Sequence, residues 1–85
     1  MMVTIKILFF AGIADVTQHA EETWQLSAQD NTVQDIIQEL IEKYGDEFRQ
    51  LISTCMYAIN MEYVSQMHPV APFDELAIIP PVSGG

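Results

Sequence analysis

Residues 3–10, VTIKILFF, alternate with a period of two. Val3, Ile5, Ile7 and Phe9 fall on one side, and Thr4, Lys6, Leu8 and Phe10 on the other. The spacing predicts a strand, which Gly12 breaks. ETWQLS at 22–27 predicts a second, shorter strand, with Thr23, Gln25 and Ser27 facing away from Trp24 and Leu26. The polar cluster Gln29-Asp30-Asn31 then turns the chain. From Thr32 the period changes. Val33, Ile36, Ile37, Leu40, Ile41 and Tyr44 form one stripe at helical spacing. Thr32 is placed to cap this helix, with Asp35 as its capping-box partner, and Gly45 suits a left-handed cap at the other end. Gln34, Asp35, Gln38, Glu39, Glu42 and Lys43 make the wet side, a solvated surface on which Glu39 and Lys43 are spaced as an ion pair.

The remaining elements are shorter. A second helix is expected over 47–53, burying Phe48, Leu51 and Ile52. A strand is expected over 56–61, a tight turn near Asn60-Met61-Glu62, a brief strand over 63–65 and a loop at His68-Pro69. Residues 75–79 predict the last strand, and Pro80-Pro81 end its ladder because proline has no N–H to donate. One main helix laid across one face of a mixed sheet is the economical α+β arrangement. Residues 1–79 form the domain in this reading, and residues 80–85 an extended tail.

Composition narrows the possible partners. With 85 residues there is room for one domain, and 49% apolar content is enough for its core. Twelve acidic residues against three basic ones give a net charge of −9. That balance argues against nucleic acid and against an anionic membrane surface, and favours a basic protein partner. One cysteine, Cys55, excludes an internal disulfide and a zinc site of several thiolates. It reads as a small apolar residue between a helix and a strand. The run ILFFAGIA at 7–14 is preceded by one lysine and reads as a strand rather than a signal peptide. A soluble, cytoplasmic protein is the expectation.

No conventional active site emerges. His19 and His68 lack metal-ligand or triad spacing, the carboxylates are scattered, and the glycines make no nucleotide fingerprint. No metal site is expected. Two features stand out instead. Leu8 and Phe10 share a strand face with Lys6, as Ala77 and Ile79 do with Glu75, so both faces turn apolar toward their C-terminal ends. If those strands are neighbours, Phe10 and Ile79 make an apolar patch at the root of the tail, the usual mark of a protein interface. The tail is the second feature. Pro80-Pro81 favours a stiff, extended exit. Val82-Ser83 continue the reach, and Gly84-Gly85 present no side chain to a narrow tunnel. At about 3.3 Å per residue the six residues project roughly 20 Å. The group at the tip is the Gly85 carboxylate, a poor electrophile until it is adenylated.

Several stretches together resemble a known family: ILFFAGIAD at 7–15, NTVQDIIQEL at 31–40, AINMEYVS at 58–65 and, most specifically, DELAIIPPVSGG at 74–85. They are similar to the sulfur-carrying small subunits of molybdopterin synthase, within the ubiquitin-like β-grasp sulfur carriers. Thiazole-pathway carriers also end in Gly-Gly but are usually shorter and lack this ending. The resemblance implies a β-grasp fold and a set of partners. An activating adenylyltransferase/sulfurtransferase would use ATP to adenylate Gly85, and a sulfur donor would convert it to a thiocarboxylate. Pro80, Pro81, Val82, Ser83 and Gly84 would then thread the tail into the large synthase subunit. There the sulfur would pass to cyclic pyranopterin monophosphate to build the molybdopterin dithiolene. The resemblance further implies a heterotetramer, catalytic side chains on the large subunit, no cofactor bound by this chain, and partner contacts by Phe10, Tyr63 and Ile79.

Two positions depart from the family pattern. Ala14-Asp15 replaces a common Arg-Glu pair, so that arginine's ionic contact is not expected. Phe73 replaces the usual glycine before the final Asp-Glu, implying a different loop or a side chain filling a local pocket. Two other functions stay open on sequence alone. One is a sulfur carrier or protein modifier of another pathway, serving thiazole or thio-tRNA synthesis or joined to lysine. The other is a β-grasp binding module whose diglycine is incidental.

Overall fold

The computed structural model describes residues 3–26 and 31–81, with side chains from Thr4 onward. In chain order the elements are β1 (Val3–Phe9), α1 (Gly12–Thr17), β2 (Glu21–Leu26), α2 (Val33–Tyr44), α3 (Asp46–Ile52), β3 (Met56–Ile59), β4 (Glu62–Val64) and β5 (Glu75–Ile79). The five strands form one sheet in the order β2-β1-β5-β3-β4. β1 runs parallel to β5, while the β1–β2, β3–β5 and β3–β4 pairs are antiparallel. A parallel pair needs a long crossover, and here it is supplied by the intervening helices and hairpin. The result is the expected α+β fold, with the helices on one face of a mixed sheet.

Period-two alternation buries Ile5, Ile7 and Phe9 of β1 and Leu76 and Ile78 of β5 against the helices. From the other side, Val33, Ile36, Ile37 and Leu40 of α2 close the same core. The start of α2 is fixed as its sequence predicts. The Asp35 N–H donates to Thr32 Oγ1 at 3.3 Å, and the Thr32 N–H donates to Asp35 Oδ2 at 2.9 Å. These two bonds satisfy donors that the helix itself leaves unpaired.

Several expectations need correction. The six-residue helix α1 was not foreseen, because Gly12 reads as a breaker and six residues are too few to display a helical period. Ile13 and Thr17, four apart, carry its buried side. A turn leads into it, with the Ile13 N–H donating to the Phe10 carbonyl at 3.1 Å. Gly45 does have positive φ, +90°, but its ψ of −164° is not the left-handed cap. α3 starts at once, so Gly45 must end one helix and open the next. Its N–H donates to the Ile41 carbonyl at 2.8 Å and its own carbonyl accepts from the Arg49 N–H at 3.1 Å. Leu51 is 37% exposed rather than buried, since Phe48 and Ile52 take the inner stripe of α3. β3 stops at Ile59 because Asn60 and Met61 both adopt positive φ and form the turn into β4. Gln29 and Asp30 of the expected turn lie outside the described residues, as does Ser27.

The wet side of α2 also differs from a plain solvated surface. Lys43 forms its ion pair with Glu22 of β2, not with Glu39. The strand register explains this: Glu22 and Trp24 lie opposite Ile7 and Ile5, so they share the helix-facing side of the sheet. The Tyr44 hydroxyl donates to Glu22 Oε1 at 2.5 Å, and the Lys43 ammonium stands 5.1 Å from the centre of the Trp24 ring. Partial burial pushes the Glu22 carboxyl up, but the bonds from Lys43 and Tyr44 outweigh it and hold the carboxyl below its ordinary value. Burial, together with the bond to Glu22, pushes the Tyr44 phenol up.

A carboxyl held down by the fold stabilises it above its unfolded pKa, and that contribution is lost as pH falls through the lower folded value. With Lys43 half-exposed the effect is modest. Glu22→Gln is therefore expected to lower neutral-pH stability by about 0.5–1 kcal/mol. The difference from wild type should shrink as pH falls below the ordinary carboxyl value of 4.5. Urea unfolding at a series of pH values checks both parts, and a constant difference down to pH ~3 contradicts the assignment.

Candidate functional site at the root of the tail

β5 is the middle strand of the sheet, so the chain enters its tail from the centre of the fold rather than from an edge. Its parallel register with β1 pairs Leu8 with Ala77 and Phe9 with Ile78. Its antiparallel register with β3 pairs Ala77 with Ala58 and Ile79 with Met56, and β3 in turn pairs Ala58 with Tyr63 of β4. Directly opposed residues point to the same side of a sheet. Leu8, Ala77, Ala58 and Tyr63 therefore run in one row across the outer face, away from the helices. Ile79 and Met56 form the next row toward the tail.

This face is apolar and open. Phe10 is 45% exposed, Met56 48% and Tyr63 67%. Leu8, Ala77 and Ile79 are half-buried. Ala58 is 5% exposed although it faces outward, its small side chain lying between Ala77 of β5 and Tyr63 of β4. β1 and β5 are neighbours, and Phe10 and Ile79 each directly follow a residue of their last register pair, Phe9–Ile78, at the end of the sheet where the tail leaves. Tyr63 shares the face but lies two strands from β5. Met56 and Ala58 were not singled out from the sequence. Their alternation alone carries no direction, and only the β3–β5 register assigns them to the outer side.

The strand ladder ends at Ile79, as the two prolines require. Pro80 is half-buried and Pro81 exposed. Val82, Ser83, Gly84 and Gly85 lie outside the described residues. Acidic groups rim the face. Glu75 and Glu21 share it with Lys6, whose ammonium lies 3.8 Å from Glu21 Oε2, an exposed contact of little energetic weight.

The turn carrying Phe10 is strained. Ala11 holds φ +50° and ψ −128°, a region that glycine occupies at far lower cost. Of the two departures, Ala14 packs half-buried against the core and Asp15 is exposed. Phe73 does not fill a pocket: it is 86% exposed, at φ +67°. A glycine is favoured there for its backbone, since L side chains adopt this conformation only with strain.

Other candidate chemistry does not assemble. His19 and His68 are both exposed. Among the described residues no group of three or more His, Cys, Asp or Glu side chains is arranged to hold a metal. Cys55 is half-buried between α3 and β3, with its Sγ 3.2 Å from the Leu51 carbonyl. Burial pushes its thiol up, away from the reactive thiolate.

Exposure separates the two neighbouring phenylalanines energetically. Phe10→Glu is expected to cost under about 1 kcal/mol of stability, whereas Phe9→Ala, at 3% exposure, should cost about 3–5 kcal/mol. Chemical denaturation of both variants checks this. Equal losses would place Phe10 in the core.

Comparison with known proteins gives a consistent picture. A family model described as the ThiS family matches residues 7–85. The molybdopterin synthase sulfur carrier subunit of Chlamydomonas reinhardtii is 36% identical over 83 residues, covering 95% of this chain and 98% of the relative. Among solved structures, SAMP1 from Haloferax volcanii is 28% identical, with a TM-score of 0.77 over 96% of this chain and 99% of that one. A complex of subunits 1 and 2 of the molybdopterin-converting factor from Helicobacter pylori contains a chain that matches with a TM-score of 0.63. At 22% identity, covering 100% of both chains, that likeness concerns the fold. The fold is the ubiquitin-like β-grasp.

Proposed function

The chain belongs to the ThiS family, and on that footing we propose that it is the sulfur carrier subunit of a molybdopterin synthase. The observation that carries the reading is the junction at Ile79. The most deeply anchored strand passes directly into Pro80-Pro81 beside an open apolar face, and the chain's likeness to molybdopterin synthase sulfur carriers supports the same reading. In this reading residues 1–79 are a handle and residues 80–85 deliver the reacting group.

The chemistry is acyl activation followed by sulfur transfer. An activating enzyme joins the Gly85 carboxylate to AMP from ATP, releasing pyrophosphate. A donor delivering sulfur at the sulfide level then attacks the acyl carbon and displaces AMP, leaving a thiocarboxylate. The face bearing Phe10, Ile79 and Tyr63 docks on the large synthase subunit, and Pro80, Pro81, Val82, Ser83 and Gly84 carry the tail into its active site. There the sulfur passes to cyclic pyranopterin monophosphate toward the dithiolene, and water cleaves the acyl C–S bond and returns Gly85 as a carboxylate. Two sulfurs per product fit an assembly with two copies of each subunit. ATP is consumed by the activating enzyme, and the catalytic side chains belong to the large subunit. The pairing of subunits 1 and 2 in the Helicobacter pylori complex supports a large-subunit partner. Among the described residues no helix is long and apolar enough to cross a membrane, and we place the reaction in the cytoplasm.

The test is direct. With ATP, an activating enzyme and a sulfur source, the intact mass should rise by the replacement of one oxygen with sulfur. Deletion of Gly85 should abolish transfer to the pyranopterin while leaving the melting temperature unchanged, because a chain end contributes little to stability. Half-maximal transfer by the deletion variant contradicts the mechanism. Attachment of Gly85 to lysines of other proteins, with no sulfur transfer, would instead identify a protein modifier.

A further inference from the structure

Two large apolar side chains occupy positions that the fold would fill better with glycine. Asn60 and Met61, at φ +51° and +74°, make the two-residue turn between β3 and β4. In a hairpin turn with positive φ at both central positions, the second is the usual place for glycine. Phe73, at φ +67°, leads into β5. Neither side chain recovers the backbone strain through packing, since Met61 is 91% exposed and Phe73 86%. Each position is thus unfavourable twice, once in its backbone and once in its apolar surface left in water.

The two loops are tied together at the end of the sheet opposite the root of the tail. Asn60 Nδ2 donates to Asp74 Oδ1 at 2.9 Å, and Asn60 Oδ1 accepts from the Glu75 N–H at 3.1 Å. The Asn60 N–H donates to the Glu75 carbonyl at 2.9 Å, and the Phe73 N–H to the Thr4 carbonyl at 2.7 Å. Met61 and Phe73 are therefore presented on preorganised loops, which lowers the entropy lost when a partner binds. Each lies two residues before a member of the outer face, Met61 before Tyr63 and Phe73 before Glu75. Tyr63, two residues past Met61, stands in the row with Ala58, Ala77 and Leu8.

We propose that Met61 and Phe73 are a second anchor for the large synthase subunit, extending the docking surface to the far end of the sheet. This rests on the sulfur-carrier reading given above. The choice of occupant follows from continuity with the Phe10–Tyr63 face and from charge. Glu62, Asp74 and Glu75 flank the two side chains in a protein of net charge −9. A second copy of this chain, or an anionic membrane, would bring like charge to the contact. The complementary surface is an apolar socket edged with lysine or arginine.

The test separates stability from binding. Met61→Gly, Phe73→Gly and the double variant are compared with wild type by thermal unfolding and by calorimetric titration with the purified large subunit. Melting temperatures should be unchanged or higher, because glycine relieves the strain. Affinity should fall about fivefold or more for each single variant, and Met61→Leu, which keeps an apolar side chain, should retain it. Phe73→Asn, which tolerates positive φ, guards against a glycine-specific effect and should bind as weakly as Phe73→Gly. A double variant that binds within twofold of wild type overturns the second anchor. Phe10→Glu, run alongside, tells the two ideas apart. If it weakens binding while the double variant does not, only the second anchor fails. If wild type itself does not bind, the sulfur-carrier reading fails with it.

Discussion

The parallel pairing of β1 with β5 is the constraint on which the rest of the structure depends. It places the last strand between the first and the third, and buries Ile7, Phe9, Leu76 and Ile78 to 3% exposure or less. Each such side chain contributes roughly 1.5–3 kcal/mol by leaving water, against a total stability of only about 5–15 kcal/mol for a typical domain. The same pairing fixes Leu8 opposite Ala77 and so assembles the outer face beside the exit of the chain. Core and outer face are two sides of one register. A shift of one residue would exchange them.

The sequence made the strongly periodic elements readable and left the contextual ones hidden. The boundaries of β5 and the capping box of α2 rest on local chemistry: prolines that cannot donate, and a threonine–aspartate exchange across one helical turn. The outer position of Ile79 followed from strand parity. Other features depend on what lies alongside. Lys43 turns to Glu22 because the β1–β2 register brings that carboxylate beneath the end of α2, which helix spacing does not encode. Leu51 reads as buried by hydropathy alone but loses the inner position to Phe48 and Ile52. Gly45 adopts an unexpected ψ because a second helix follows without a linker. On the outer face, the side taken by Ile79 was legible from strand parity and Tyr63 only through the family resemblance, while Met56 and Ala58 waited on the β3–β5 pairing.

Local preference and global fold agree almost everywhere in the core and disagree at particular surface positions. Ala11, Gln18, Met61 and Phe73 each hold a positive φ without being glycine, asparagine or aspartate. Such disagreements persist where the surrounding structure over-determines them, and they concentrate at functional surfaces. Ala11 directly follows Phe10 in the turn at one end of the sheet, Gln18 is the left-handed cap that closes α1, and Met61 and Phe73 mark the opposite end of the sheet. The unstrained middle of the sheet carries Ala58 and Ala77, whose small side chains leave that part of the face nearly flat.

The central place of β5 also bears on how the molecule comes into being. Strands β1 and β3 have no contact ladder with each other and meet only through residues 75–79. A nascent chain that lacks those residues holds two separate strand pairs and a helix with no continuous sheet to cover. Non-local closure of this kind is slow relative to helix and hairpin formation. The sheet is thus closed by the same five residues that end at the base of the tail, and β1 and β3 share one sheet only once those residues are in place.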